Sequence, residues 1–192
     1  REWAERLTMR VSPADIERLG RTMLVTIDRV SSSRWEAAVG RAAALGGDVR
    51  PEKMKALTDS FARELGAFGA GAGAAAATPA VGTTATLLAA MAELAWFTGR
   101  AGDLILTVAA LHGRPSPSVE ERRAWMLAVL IYGGSAREGF AKTINEANTG
   151  LSPANGTKLP MATLQTVNRL LTPRLVKRYG ARRGAIALGT TL

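Results

Sequence analysis

Twenty-eight consecutive residues, Leu65 to Ala92, carry no charge, and they are built largely of Gly, Ala and Thr around Pro79. A membrane span must lower its transfer free energy with Leu, Ile, Phe and Val, and must keep its backbone paired in hydrocarbon. Gly and Ala do little of the first, and Pro79 interrupts the second. Small residues do let backbones approach closely. The segment Gly69-Ala-Gly-Ala-Gly73 has Gly-xxx-Gly spacing. The run therefore predicts a close-packed helical hairpin hinged near Pro79, with Gly66, Gly69, Gly73 and, past the hinge, Gly82 as its close-packing glycines.

The chain of 192 residues has about one domain's length and can bury roughly two thirds of the surface that its unfolded form exposes. Aromatic residues make up only 5% of it, so its core must be narrow-spaced, which helices achieve more easily than sheets. The absence of cysteine excludes disulfides and thiolate metal sites and fits a reducing compartment. Arg1 is not an initiator Met and the chain stops inside an apolar stretch, Gly184 to Leu192, which leaves room for flanking segments that hold a signal or anchor.

The net charge of +9 is a local feature. No acid follows Glu146, and Lys158, Arg169, Arg174, Lys177, Arg178, Arg182 and Arg183 supply seven of the nine excess charges. Such sign asymmetry points to an anionic partner: phospholipid headgroups, nucleic acid or an acidic protein surface.

Along the chain, Ile16, Leu19, Met23, Leu24, Ile27 and Val30 form one apolar stripe behind a Ser12, Pro13, Asp15 start signal, which predicts a helix. Trp35, Ala38, Val39, Ala42 and Leu45 predict a second, stopping at Gly46-Gly47. Pro51 opens a third, with Met54, Leu57, Phe61 and Leu65 on one face, and this one runs on into the Gly/Ala stretch to a break near Thr78-Pro79. Thr83 to Leu111 is apolar on nearly all sides and predicts the central buried helix. In it Gly99 and Gly102 mark either a break or a close contact. Ser118 and Glu121 predict a capping box for a helix that ends at Gly133-Gly134. A loop is expected near Asn145 to Leu159, followed by two helices that begin near Pro160 and Pro173. There is no alternating strand pattern of useful length and no tandem repeat.

The segments Ala80-Val-Gly82, Ala92-Glu93-Leu94-Ala95, Asp103 through His112-Gly113 and Val119-Glu-Glu-Arg-Arg123 together resemble the EcsC protein family. The basic stretch through Tyr179-Gly180-Ala181-Arg182-Arg183-Gly184 is similar to that family's C-terminal region. The likeness covers about residues 65 to 192. His112 stands where the family usually has Tyr, and Glu93 where it has Asp. The resemblance implies an all-helical bacterial protein associated with the cell envelope and with an ABC transporter operon. It supplies no catalytic residue.

Candidate chemistry is sparse. His112 is the only histidine, so a triad or a His-rich metal site would hang on it alone, and a position at a helix C-terminus explains it more simply. Glu93 and Asp103 lie in the most apolar helix and each needs a partner. Arg100 is seven residues after the first and three before the second, so one guanidinium can reach either acid. Gly71-x-Gly73-x-x-Ala76 mimics a dinucleotide fingerprint without the preceding strand, and Gly150 to Lys158 has the wrong spacing for a phosphate loop. The last helix places Arg174, Lys177, Arg178 and Arg182 opposite Leu175, Val176 and Tyr179, a basic amphipathic pattern suited to anionic bilayers. The same pattern also fits a solvated face whose apolar side joins the core. Trp3, Trp35, Trp96 and Trp125 lie in apolar contexts rather than beside cations, which weakens a nucleic-acid reading.

The expectation is an all-α, single-domain helical bundle in which residues 1-64 pack as N-terminal helices on a 65-192 core with a basic C-terminal helix. The leading function is a non-catalytic accessory protein, cytoplasmic and peripheral to the inner membrane. It would dock on anionic membrane or a membrane transporter through Arg174, Lys177, Arg178, Arg182 and Arg183. Glu93, Arg100 and Asp103 would form a buried polar cluster. No cofactor and no metal are expected. A bound lipid-like or apolar small molecule and nucleic acid are the alternative ligands.

Overall fold

A computed structural model describes residues 12–45, 50–76, 83–114, 117–147 and 159–189, with Pro13, Arg50, 69–76, 83–87 and 180–189 described as backbone only. The protein is an all-α bundle, and no strand occurs among the described residues. The helices are α1 (Pro13–Ser33), α2 (Trp35–Ala44), α3 (Arg50–Ala76), α4 (Thr83–Leu111), α5 (Val119–Tyr132), a 3-10 turn (Gly133–Ser135), α6 (Ala136–Glu146) and α7 (Met161–Gly189).

Local sequence sets most of these boundaries. Ser12 and Asp15 close a reciprocal capping box: the Ser12 hydroxyl accepts from the Asp15 N–H at 3.1 Å, and the Asp15 carboxylate accepts from the Ser12 N–H at 3.2 Å. Ser118 caps α5 by accepting from the Glu121 N–H at 3.1 Å. Gly133, at φ +59°, ends α5 in a backbone conformation that side chains disfavour.

α1 packs against α4, α5 and α7. Its Leu19, Met23, Ile27 and Val30 join Leu94, Leu106, Met126, Leu127, Ile144, Val167, Leu171 and Leu175 in one apolar core. Two glycines bring α1 close to α4 and α7. A Cβ on Gly102 would lie 2.5 Å from Met126 Cε and 2.8 Å from Val30 Cγ1, and one on Gly20 would lie 2.8 Å from Val176. Gly102 is therefore a contact point and not a break.

Four sequence expectations are corrected. Val39 is exposed rather than on the apolar face of α2. Gly66 is exposed with nothing within 4 Å of an added Cβ, so it is not a close-packing position; Gly69 and Gly73 are described as backbone only, and Gly82 and Pro79 lie outside the described residues. Ala136–Glu146, a stretch without a sequence assignment, forms α6, whose end reaches into the loop expected from Asn145. Finally, Met161–Gly189 is one helix and not two. Pro173 lacks the N–H that would bond the Arg169 carbonyl, but both residues are exposed, so water can satisfy that carbonyl while buried Leu171 and Leu175 hold the helix on the core.

α4 is central but not buried throughout. From Leu94 onward it lies in the core, whereas Leu88, Ala89 and Ala92 are exposed. By length and composition Leu88–Leu111 could cross a membrane, yet 44% of its apolar window is buried inside the protein.

Candidate functional site

Contacts between helices set which ends of the bundle coincide. Thr26 faces Gly99 and Val30 faces Gly102, so α1 and α4 run in the same direction. Glu64 pairs with Arg100 and Phe68 stacks on Trp96, so α3 runs antiparallel to α4. Asp28 pairs with Arg123 at 3.0 Å, which sets the start of α5 beside the latter part of α1. Asn168 bonds the Glu120 carbonyl and Arg174 the Tyr132 hydroxyl, so α7 runs with α5 and against α1.

Gly20 meets Val176 six residues before Thr26, about 9 Å back along α1. The same step back along α4 from Gly99 reaches about Glu93. The uncharged part of the hairpin and the cations that follow Val176 therefore belong to one end of the bundle. Ala67, Leu88, Ala89 and Ala92 are exposed on its two arms, with Leu88 at 61%. Lys177 and Arg178 are exposed on α7. Arg182 and Arg183 continue the same helix, and their side chains lie outside the description.

Arg174 differs from the other predicted docking cations. It forms an ion pair with Glu146 and donates to the Tyr132 and Thr143 hydroxyls at 3.0 and 3.2 Å. The bond to Glu146, then that to Tyr132, raises the Arg174 pKa, and the same ion pair holds the Glu146 carboxyl below the ordinary range. Arg174 thus ties α7 to α5 and α6. Leu175 is fully buried, Val176 packs on Gly20, and Tyr179 leans on the core. The apolar side expected to enter a bilayer is occupied by the protein itself.

The second locality is the ion cluster of α4. Asp103, 4% exposed, accepts from Arg34 at 2.8 Å, Arg41 at 3.1 Å and Arg100 at 3.2 Å. Arg100 also pairs with Glu64, and Arg41 Nε donates to the Thr107 hydroxyl at 3.3 Å. The spacing of Arg100 and Asp103 placed those two together in advance. Arg34, at the junction of α1 and α2, Arg41 of α2 and Glu64 of α3 come from distant parts of the chain and leave no local signal. Glu93 is half-buried about two turns before Arg100 on α4.

A cavity of about 220 Å³ opens beside this cluster between α2, α3 and α4. Arg41, Arg100, Asp103, Glu64 and Ser60 supply its polar lining; Ala44, Leu45, Leu57, Phe61 and Leu104 supply the apolar wall.

His112 lies in the turn after α4, where its N–H bonds the Val108 carbonyl. No group of three or more metal-ligating side chains occurs among the described residues. Contrary to the sequence reading, two tryptophans do lie beside cations. Arg122 sits 6.0 Å from the Trp35 ring centre and Arg114 sits 5.7 Å from that of Trp125. Trp35 is buried, so its ring is no platform for a base. Comparison with known proteins finds no matching family model, no matching curated protein and no matching solved structure.

Proposed function

We propose that this chain is a non-catalytic peripheral protein that docks on an anionic bilayer through the end where the uncharged hairpin and the α7 cations meet. The coincidence of those two features at one end supports the reading most directly. Cations near an anionic lipid surface contribute about 1 kcal/mol each. Lys177, Arg178, Arg182 and Arg183 alone would then give about 4 kcal/mol, which is only millimolar attachment. Exposed Leu88 can add about 2 kcal/mol on burial. Together the two terms bring binding into the tens of micromolar, a reversible regime. The apolar contribution comes from the hairpin arms and not from Leu175, Val176 and Tyr179 of α7, which pack on the core. The resemblance to the EcsC family rests on its quoted motifs and agrees with an envelope role.

Co-sedimentation with vesicles of phosphatidylcholine, with and without phosphatidylglycerol, across a salt series tests the proposal. Binding only to the anionic vesicles, weakening as salt rises, is expected. Equal binding to neutral vesicles, or preference for DNA over anionic vesicles at equal salt, contradicts it.

A further inference from the structure

The cavity between α2, α3 and α4 has two unlike walls. One is apolar: Leu45, Leu57, Phe61 and Leu104. The other holds Arg41 and Arg100 beside Asp103 and Glu64. Counting Arg34, which grips Asp103 without lining the cavity, the cluster has three guanidinium groups and two carboxylates.

Among the described residues the cluster therefore carries one more positive than negative charge. Its arginines are 30–42% exposed, so water serves part of their donor surplus. Arg100 Nε is buried and has no hydrogen-bond partner. The surplus positive charge and the unpaired Arg100 Nε lie beside the cavity, and together they suit an anion with acceptor oxygens.

The apolar wall and the volume define the rest of the ligand. About 220 Å³ equals roughly seven waters of liquid volume and falls below the roughly 300–1,000 Å³ typical of sites for drug-sized ligands. Phosphate or sulfate would leave the Leu57, Phe61 and Leu104 side unfilled, and a long acyl chain would exceed the space.

We propose that this cavity binds a small monoanionic carboxylate with a short apolar body, its carboxylate on Arg41 and Arg100 and its body against Leu57, Phe61 and Leu104. A carboxylate matches the planar fork of a guanidinium. The proposal rests on the cavity and not on the membrane reading, because these residues lie at the Arg100–Leu104 level of α4 and away from the exposed hairpin arms.

Calorimetric titration with sodium octanoate, in buffer without vesicles, tests it, with octan-1-ol and acetate as comparison probes. Saturable one-to-one binding of octanoate is expected, with each comparison probe about tenfold weaker or more. Arg41→Gln should weaken octanoate about tenfold, and Leu57→Trp, which fills the cavity, should abolish binding while the helical circular dichroism is kept. Absence of saturable octanoate binding, or octanol binding as tightly, overturns the proposal. Undiminished octanoate affinity in Leu57→Trp also overturns it. If that variant does not fold, an unchanged affinity in Arg41→Gln overturns it instead. Lys177→Glu should leave octanoate binding unchanged, which separates this site from membrane docking.

Discussion

Phe68 of α3 lies flat on Trp96 of α4, with ring centres 3.8 Å apart and planes 8° from parallel. One turn away Glu64 pairs with Arg100, so the two contacts pin α3 and α4 in a single antiparallel register. Below this pin the hairpin is part of the bundle. Above it the α4 arm exposes Leu88, Ala89 and Ala92. Phe68→Ala removes the stack from a half-buried position and should lower stability by about 1–2 kcal/mol in urea denaturation, with a change in Trp96 emission. An unchanged midpoint and spectrum would show that the rings do not hold the register.

Two glycines should respond to alanine with opposite signs. Gly66 is exposed on a helix with open space around it, so Gly66→Ala should stabilise by about 0.5–1 kcal/mol through helix propensity. In Gly102→Ala the new Cβ collides with Val30, a stiff β-branched side chain, as well as with Met126. Overpacking of about 1–3 kcal/mol should outweigh the propensity gain. Thermal melting of both variants decides it; a Gly102→Ala variant more stable than the parent would refute the close contact.

Asp103 is the shared acceptor of three arginines from two other stretches of chain and its own helix. Asp103→Asn keeps the shape but removes the counter-charge that the three guanidinium groups share, at a cost of about 3 kcal/mol. The figure sits at the low end of the range for buried pairs because the arginines are 30–42% exposed. Arg34→Met should cost much less, about 1 kcal/mol, because Arg41 and Arg100 remain on Asp103. Equal losses for the two, measured by denaturant titration, would contradict a shared-acceptor role.

The Glu146–Arg174 pair has a pH signature. Its folded-state pKa lies below the ordinary value, so the pair stabilises the fold above the unfolded carboxyl's range, and that contribution is lost as pH falls through the folded value. Glu146→Gln should melt lower than the parent at neutral pH. The gap should close well below about pH 4, where the parent's Glu146 is protonated too. A constant gap across the acid range would mean that the carboxylate's charge is not the cause.

Legibility in the sequence followed the range of the interactions. The stripe from Ile16 to Val30 and the Ser12 capping box are local, and α1 appears where they place it. Arg100 and Asp103 share a helix three residues apart, so their pairing could be read. Arg34 and Arg41 reach Asp103 across separations of 69 and 62 residues, which no local spacing encodes. For α6, Phe140, Thr143 and Ile144 stand at helical spacing, but the segment between Gly134 and the loop expected from Asn145 is short and polar and carries no side-chain cap to announce it. Pro173 misled for a physical reason: proline removes one hydrogen bond and crowds the turn before it, which can kink a helix without ending it, and here exposed Arg169 and Pro173 leave buried Leu171 and Leu175 to hold the helix on the core.

The central claim is that the hairpin arms and the α7 cations face an anionic bilayer together. The chain has no cysteine, so a single environment-sensitive fluorophore can be attached through Ala89→Cys on the exposed arm of α4 or Met161→Cys at the far end of α7. On adding phosphatidylglycerol-containing vesicles, the Ala89 label should shift to the blue and become shielded from aqueous quenchers, and the Met161 label should not change. No response at Ala89, or an equal response at Met161, would contradict the account.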